Sequence, residues 1–491
     1  MRYFRLLFIF FLSLITFISN AQKTSRLPKE LMGNWFLANG NRSWKIGVYE
    51  DRIAYDSEVW EYSSINSNNK ITSINLKEGT HNALLELQLS KAGKLILFSG
   101  NKKVFLSRSP NGKRRFSQAE NELTSNVFKT DTATYAGFIR NFSVGLGFNT
   151  GQLLASNLIT GVTDSYLINI KSDGTFKVRI PMNYPLECMV QFPFQTMYII
   201  LEPGMKTLQL FDLTDSSSTN LFMGAGSDMN SDLAALKSTL NHNWNLIDTE
   251  IYNFNADQYK SYFLKLQKQR LVELKNYKDT AGMSKRSEKQ LSQNIKFNIA
   301  NNLLDISHTL GMARNKASKL PTLDRVAFDD AYTMTLSYMD FLRNLPFGTN
   351  RSVTSNDYFI LLKRIDNLDL MRKKVVLARY QVYAKELEKK QDLKPSEKSI
   401  LKTLNEIVTQ GINDQNLKAY LNQWAVMDTF SVGRVDEFKS RFMQQENENR
   451  RRVLFELTGK NLTFEQEILN AQAITSTGKF SDFKILDTVE L

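Results

Sequence analysis

The 491-residue chain contains a single cysteine, Cys188, and only three histidines, His81, His242 and His308. One thiol cannot form an internal disulfide, and dithiol exchange needs a second thiolate to resolve the mixed disulfide. The histidines lie far apart in the sequence, and no His-Glu-x-x-His motif joins two of them. The sequence therefore predicts no metal site and no cofactor.

Other catalytic motifs are also absent from the sequence. There is no Gly-x-Ser-x-Gly and no phosphate-binding loop of the Walker type. Gly145-Leu146-Gly147 lacks the third glycine and the following helix of a dinucleotide-binding turn. Asp329 and Asp330 are adjacent, so they point to different sides of a helix and do not form an acid/base pair. We name no catalytic, cofactor-binding or metal-binding residue, and an enzyme is the least favoured class.

Cys188 lies in the apolar run LECMVQFPF. A buried cysteine behaves as a small hydrophobic side chain, whereas a reactive thiolate needs exposure and a cationic neighbour. The neighbours Met189, Val190 and Phe192 carry no charge. We expect Cys188 to be structural rather than reactive.

Long uncharged hydrophobic runs are missing except at the N-terminus. Arg2 and Arg5 precede the apolar stretch Leu6 to Ile18, and Ser19-Asn20-Ala21 supplies small residues for cleavage. This pattern is typical of a secretory signal peptide over residues 1–21. A membrane anchor is the alternative, but the apolar run is short for a span, and no cysteine follows Ala21 to carry a lipid. We expect an exported, periplasmic protein without a stable membrane anchor after cleavage.

Lysine and arginine outnumber aspartate and glutamate by 63 to 50, a net charge of +13 that falls to +11 without Arg2 and Arg5. The excess is spread evenly, whereas nucleic-acid binders concentrate it on one face. Short clusters at 113–115, 372–374 and 450–452 are interpreted as solvated linkers and helix faces. We therefore predict no nucleic-acid partner.

The first half of the chain has the alternation and turns of β-structure. Residues 27–108 predict an antiparallel meander or small barrel, with hairpin turns at Asn39-Gly40 and Ala92-Gly93. Trp35, Trp44 and Trp60 in this region are interpreted as core residues rather than a ligand cage. The polar, aperiodic stretch 109–133 predicts a linker.

Residues 134–222 predict a β-sandwich because short strands follow one another with turn signals between them. Ser172-Asp173-Gly174 is a hairpin turn, and Glu202-Pro203-Gly204 has the type II signature. The strands are predicted at 165–170, 175–180, 188–194, 196–201 and 206–212.

From Ser227 the period of the apolar residues becomes helical. Residues 227–476 predict an irregular helical bundle and 477–491 a C-terminal tail. Beyond a helix near Tyr259 to Tyr277, helices are predicted at 228–248, 284–318, 322–344, 355–391, 395–410, 413–426, 433–458 and 463–475. The fold class is multidomain β + α.

Two triplets, Asp131-Thr132-Ala133 and Asp279-Thr280-Ala281, resemble the Asp-Ser/Thr-apolar sites at which some Gram-negative bacteria attach O-glycans. The triplet is short enough to occur by chance. Of the two threonines, Thr132 is the favoured acceptor because it falls in the predicted linker.

The order of these features resembles a family. An opening Leu-Pro-Lys-Glu-Leu-x-Gly-Asn-Trp-Phe, then Ser-Asp-Gly-Thr-Phe and Leu-Glu-Pro-Gly, then a helical region, is similar to the long N-terminal extension of periplasmic TlpA-like thiol:disulfide oxidoreductases. The resemblance covers nearly the whole chain, but its motifs are turns and core aromatics. The activity of that family resides in a thioredoxin domain with Trp-Cys-x-x-Cys, which no segment here matches. The resemblance therefore implies no catalytic residue.

Three functions remain open. The first is a non-catalytic envelope module that binds or scaffolds redox or folding partners. The second is a small-ligand-binding protein that uses the N-terminal barrel or the groove between sandwich and bundle. The third is a truncated or split oxidoreductase.

The leader predicts a mature N-terminus at Gln22. N-terminal sequencing of exported material should begin at Gln22 because the small residues of Ser19-Asn20-Ala21 fit the cleavage site. An intact Met1 on the exported protein would contradict the expectation.

Overall fold

The computed structural model describes residues 27–38, 43–68, 70–100, 102–109, 112–116, 128–158, 161–214, 220–236, 240, 244–318, 334–412, 435–463 and 465. Along the chain these residues form a β-barrel, two further β-sheets and a series of helices. The mixed β + α fold class predicted from the sequence is confirmed. None of the described helices combines the length and the apolar character that a membrane span needs.

The N-terminal region is a closed, eight-stranded antiparallel barrel, as the meander pattern predicted. It closes where β1 pairs with β8, with Phe36 opposite Ser107. The strands are β1 (Gly33–Leu37), β2 (Trp44–Val48), β3 (Arg52–Tyr55), β4 (Glu58–Ser67), β5 (Thr72–Glu78), β6 (His81–Leu89), β7 (Leu95–Ser99) and β8 (Lys102–Ser107).

The interior of the barrel is filled by apolar side chains. Alternate residues of β5, such as Ile74 and Leu76, are buried in one cluster with Trp35. Trp35 is completely buried, and its Nε1 donates to the Leu31 carbonyl at 2.8 Å. Trp44 is also buried, and Trp60 is half-buried. The packed interior argues against the barrel as a ligand site, since small barrels of this kind are filled by their own side chains.

Residues 131–224 form two four-stranded sheets. One sheet has the order β12-β9-β15-β16 and the other β11-β10-β13-β14. The strands are β9 (Asp131–Arg140), β10 (Thr150–Ser156), β11 (Thr163–Asn169), β12 (Thr175–Met182), β13 (Leu186–Phe192), β14 (Gln195–Leu201), β15 (Lys206–Asp212) and β16 (Leu221–Gly224). Buried residues of both sheets belong to one apolar cluster.

The central strand β9 pairs in parallel with β15, and both of its faces are buried. Tyr135 and Ile139 belong to the cluster shared by the two sheets, whereas Ala136 and Phe138 pack against the barrel residues of a separate cluster. Gly137 lies in the middle of β9, where a Cβ atom would come within 2.1 Å of the Phe176 ring. The small residue lets that ring pack directly on the backbone.

Ion pairs between the barrel and the sheets reinforce this packing. Arg52 of β3 pairs with Asp173 at 3.1 Å and donates to its carbonyl at 3.0 Å. Glu58 of β4 pairs with Lys206 at 2.6 Å and with Lys177 at 3.2 Å. The barrel is therefore fixed to the β9 sheet by polar contacts around an apolar centre.

The helices begin at Ser227 in the described chain. They are α1 (Ser227–Ala235), α2 (Trp244–Ile251), α3 (Ala256–Ala281), α4 (Lys285–Leu304), α5 (Ile306–Ala317), α6 (Asn356–Asp366), α7 (Asp369–Glu388), α8 (Pro395–Gln410) and α9 (Val435–Thr458). Shorter 3₁₀ helices cover Tyr338–Asn344 and Asn350–Thr354.

Several predicted helices differ from this arrangement. The predicted helices 284–318 and 355–391 are each two helices, which break at Asp305 and near Leu368. The described end of predicted helix 322–344 is a 3₁₀ helix. The predicted helix 413–426 lies outside the described residues, as does most of 463–475 and all of the tail 477–491.

An asparagine of α1 covers the free edge of β14. Asn230 accepts from the backbone N–H of Ile200 at 2.7 Å and donates to its carbonyl at 3.0 Å. At Ile200 the amide therefore occupies the place that a neighbouring strand would take in the ladder, and both backbone groups of this buried residue are paired.

The predicted linker 109–133 is wrong in two respects. Strand β9 begins within it, at Asp131, and Arg114 is buried rather than solvated. The Arg114 guanidinium pairs with the buried carboxylate of Asp232 in α1, and its Nε donates to the Gly282 carbonyl at 2.9 Å. The Arg114 backbone N–H donates to the Ala281 carbonyl at 2.8 Å. Residues 112–116 therefore tie the region after the barrel to the end of α3.

This contact gives a prediction about stability. Arg114→Ala should lower the free energy of unfolding by roughly 3–5 kcal/mol, because it leaves Asp232 buried without its partner. Urea unfolding followed by circular dichroism measures the change. Arg115→Ala is the matched control, since Arg115 is exposed and its loss should cost less than about 0.5 kcal/mol.

The double variant Arg114→Ala/Asp232→Asn should recover part of the loss because the buried charge is also removed. Equal effects of Arg114→Ala and Arg115→Ala would show that the ion pair does not stabilise the fold.

Candidate functional site

A cleft of about 350 Å³ lies between the second sheet and the helices. Strands β13 and β14 form one wall, and α1, α4 and α6 form the other. The volume falls in the range of small-molecule sites, roughly 300–1,000 Å³. Its distinguishing feature is a pair of carboxyl groups, Glu187 and Asp357.

Glu187 is positioned by β13 and by the start of α6. It lies opposite Ile200 of β14 and is only 8% exposed. Its Oε1 accepts from Asn294 Nδ2 at 3.1 Å, and its Oε2 accepts from the backbone N–H of Asn356 at 3.1 Å. Asn356 is the first residue of α6, so a sheet carboxyl group satisfies a free donor at the N-terminus of a helix.

Asp357 is the second residue of α6 and keeps part of its surface open to the cleft. Its Oδ1 accepts from the side-chain amides of Asn298 and Asn301, each at 3.3 Å. The Asp357 carbonyl accepts from the same Asn301 amide at 2.8 Å. Three hydrogen bonds from α4 therefore fix the residue.

The two carboxyl groups have different proton affinities. Burial, together with the nearby charge of Asp357, raises the pKa of Glu187 to about 8, against the opposing hydrogen bond from Asn356. Burial raises the pKa of Asp357 to about 6, where the hydrogen bonds from Asn298 and Asn301 and the charges of Arg364 and Arg270 oppose a larger shift. At pH 7 Glu187 is therefore mostly protonated and Asp357 mostly ionised.

The remaining described lining of the cleft is uncharged. Met197, Leu233, Leu240 and Ile360 supply apolar surface, and no lysine or arginine stands among the lining residues. A ligand with an apolar body can pack on this surface while one polar group meets the carboxyl pair. The electrostatics favour a positive group.

The site depends on a face of α4 that is rich in amides. Asn294, Asn298 and Asn301 recur at intervals of four and three residues and therefore lie on the same side of the helix. Sequence reasoning missed this feature because it considered only titratable and nucleophilic residues as site candidates. The spacing of the asparagines was the available signal.

Of the described residues considered in the sequence analysis, neither the cysteine nor a histidine lines this cleft. Cys188 is completely buried in the cluster shared by the sheets, which confirms its predicted burial. Burial and the neighbouring Glu187 raise the pKa of its thiol well above the usual range, so the reactive thiolate is disfavoured. His81 and His308 are both exposed, and His242 lies outside the described residues.

Among the described residues, no three histidine, cysteine, aspartate or glutamate side chains come together to hold a metal ion. Asp329 and Asp330 are not among those residues. Gly145 belongs to an exposed 3₁₀ turn, Val144–Leu146, and Gly147 ends it in a left-handed conformation.

The interpretation of the basic clusters as solvated needs a second correction. Arg450 is buried, pairs with Asp366 at 3.0 Å and lies 3.7 Å from Glu446, so it joins α9 to α6. Arg451 and Arg452 beside it are exposed, as expected of a solvated helix face. Asp366 lies far from Arg450 in the sequence, so the spacing of the cluster does not show that Arg450 is the buried arginine.

The two candidate glycosylation sites also differ in exposure. Thr280 is exposed in the last turn of α3, and its Oγ1 donates to the Asn276 carbonyl at 2.8 Å. Thr132, the favoured acceptor, lies half-buried on β9 opposite Pro181 of β12. The geometry therefore favours Thr280 as the more accessible hydroxyl.

No family model matches this chain, and neither the curated proteins nor the solved structures contain a significant match.

The carboxyl pair predicts a pH-dependent stability. The pKa of Glu187 is raised on folding, so its ionisation opposes folding, and stability should fall as the pH rises from about 5 to about 8. Glu187→Gln removes this ionisation. From about pH 5 to about pH 8, the free energy of unfolding of Glu187→Gln should therefore rise by roughly 3 kcal/mol relative to that of wild type.

Urea unfolding at several pH values measures this shift. Asp369→Asn is the control, because it removes a carboxylate that is 63% exposed. Parallel pH profiles for wild type and Glu187→Gln would contradict the assignment.

Proposed function

We propose that this chain is an exported, non-catalytic binding protein whose ligand occupies the Glu187–Asp357 cleft. The ligand is a small molecule with a protonated amine and an apolar body. The observation that carries the proposal is a carboxyl pair, one member ionised at neutral pH, in a cleft whose other described lining residues are uncharged.

The positive group of the ligand is inferred from the negative charge of the carboxyl pair. Within the described chain no lysine or arginine lines the cleft, so an ammonium can approach Asp357, on which the charges of Arg364 and Arg270 also act. The interaction is stronger than at an open surface because the site is partly shielded from water. An approaching cation also favours ionisation of Glu187, so the pair can supply a second negative charge on binding.

The apolar body is assigned by the apolar side chains that line both walls of the cleft. Met197 of β14, Leu233 of α1 and Ile360 of α6 are apolar lining residues of the cleft. Three elements therefore contribute to its contact surface. A cleft of this size accommodates a chain of several carbon atoms.

The wider role that we propose is that of an accessory region of a TlpA-like oxidoreductase in the cell envelope, where it binds or scaffolds redox or folding partners. Two observations support it: the order of barrel, sheets and helices follows the order of the family-like motifs, and the only thiol is buried. In this proposal the two sheets face each other as a β-sandwich, supported by their shared apolar cluster, and the helices form an irregular bundle.

The amine site is tested with probes that differ only in their polar group. Isothermal titration of the full mature chain at pH 7 should show binding of n-hexylamine at least tenfold tighter than of 1-hexanol or hexanoate. Asp357→Asn should weaken hexylamine binding about tenfold, because it removes a charge pair worth about 1.4 kcal/mol and keeps the shape. Asp369→Asn is the matched control and should leave binding unchanged.

Wild-type binding of hexylamine should also weaken about tenfold from pH 7 to pH 5, because Asp357, with a pKa of about 6, becomes protonated. Equal affinities of wild type for hexylamine and 1-hexanol would refute the amine site. A hexylamine affinity that Asp357→Asn leaves unchanged would also refute it.

A further inference from the structure

A second cleft lies on the other side of α4. It has a volume of about 480 Å³ and is formed by α3, α4 and the 3₁₀ helix Tyr338–Asn344. Its lining shares no residue with the Glu187–Asp357 cleft. The two clefts are therefore separate sites that use different faces of the same helix.

The floor of the second cleft is apolar and well packed. Ile299 and Leu303 of α4 are at most 1% exposed, and Phe341 and Leu345 are at most 5% exposed. Leu264 of α3 completes the apolar lining from the neighbouring helix. Leu264 is half-buried and gives the cleft accessible hydrocarbon, whereas the other four side chains are packed in the core, and none of the five is charged.

The rim carries three cations and one carboxylate. Lys260 pairs with Asp340 at 2.6 Å and also donates to the Ser337 carbonyl at 3.0 Å. Lys296 and Arg343 line the same cleft and have no ion pair or hydrogen bond within the part of the chain that the structure describes. The carboxylate of Asp340 is thus neutralised by Lys260, and the positive charges of Lys296 and Arg343 remain.

Helical spacing places charge and hydrocarbon together. On α4, Lys296 precedes Ile299 by three residues and Leu303 by seven, so all three lie on one face. On α3, Lys260 and Leu264 are four residues apart and are arranged in the same way. Each helix thus contributes a cationic rim residue above an apolar floor residue.

We propose that this cleft binds a soluble amphiphilic anion, such as a medium-chain carboxylate. The anionic group pairs with Lys296 and Arg343, and the hydrocarbon chain packs on the apolar lining of the cleft, chiefly on the half-buried Leu264. A metal cation is disfavoured by the surplus positive charge, and a purely polar anion would make no use of the apolar lining at Leu264.

The test uses octanoate, octylamine and 1-octanol against the full mature chain in isothermal titration at low salt. Octanoate should bind at least tenfold tighter than octylamine or octanol. The double variant Lys296→Gln/Arg343→Gln should weaken octanoate binding at least tenfold. The control Lys265→Gln/Lys268→Gln removes two exposed lysines from α3 and should leave it unchanged.

A salt series on the wild type provides a readout that needs no variant. Octanoate affinity should fall as sodium chloride rises from 20 to 500 mM, because part of each ion pair is screened, whereas octanol affinity should not fall. Octanoate binding that is insensitive to both the double variant and salt would overturn the proposal. Binding to phosphatidylglycerol vesicles without binding of free octanoate would also overturn it, because the partner would then be a membrane surface.

The proposed anion site is independent of the proposed amine site, and each proposal can be refuted without the other. Asp357→Asn should leave octanoate binding unchanged, and Lys296→Gln/Arg343→Gln should leave hexylamine binding unchanged. Loss of both ligands in either variant would show that the variant disturbs the fold, and circular dichroism of each variant identifies that outcome.

Discussion

The parallel pairing of β9 with β15 is the contact on which the arrangement of the other parts depends. Because β9 is covered on both faces, the barrel packs on one side of the sheet and the shared apolar cluster lies on the other. The second sheet is joined to this cluster, and its strand β13 in turn carries Glu187 to the helices. A change in the register of β9 would move its apolar residues to the wrong faces and would disturb the barrel and the second sheet together.

Local sequence signals predicted much of the β-structure and little of the site. The turns Ser172-Asp173-Gly174 and Glu202-Pro203-Gly204 marked the ends of the strands around them. The predicted hairpin at Ser172-Asp173-Gly174 is wrong, because β11 and β12 belong to different sheets and the turn is flanked only by the isolated bridge between Ile170 and Phe176. Strand β9 was missed since a strand buried on both faces loses the alternation that identifies strands. Arg114 was misread because a partner 118 positions away in the chain decides its burial. Glu187 looked like an ordinary strand residue for the same reason.

Helix α4 explains how two clefts of opposite charge preference can exist side by side. Its asparagines face the carboxyl pair, while Lys296, Ile299 and Leu303 face the second cleft. The helix begins with a side-chain cap, in which Ser284 accepts from the backbone N–H of Ser287. The two clefts share this one helix and no lining residue.

The asparagine at the edge of β14 has a consequence for the behaviour of the protein at high concentration. An open strand edge can pair with the edge of another molecule and begin the growth of intermolecular β-structure. Asn230 occupies both backbone groups of Ile200 with its own amide, so this edge offers no continuous ladder to a neighbour. A single side chain from a helix thus blocks strand pairing at Ile200 and also holds α1 beside the Glu187–Asp357 cleft.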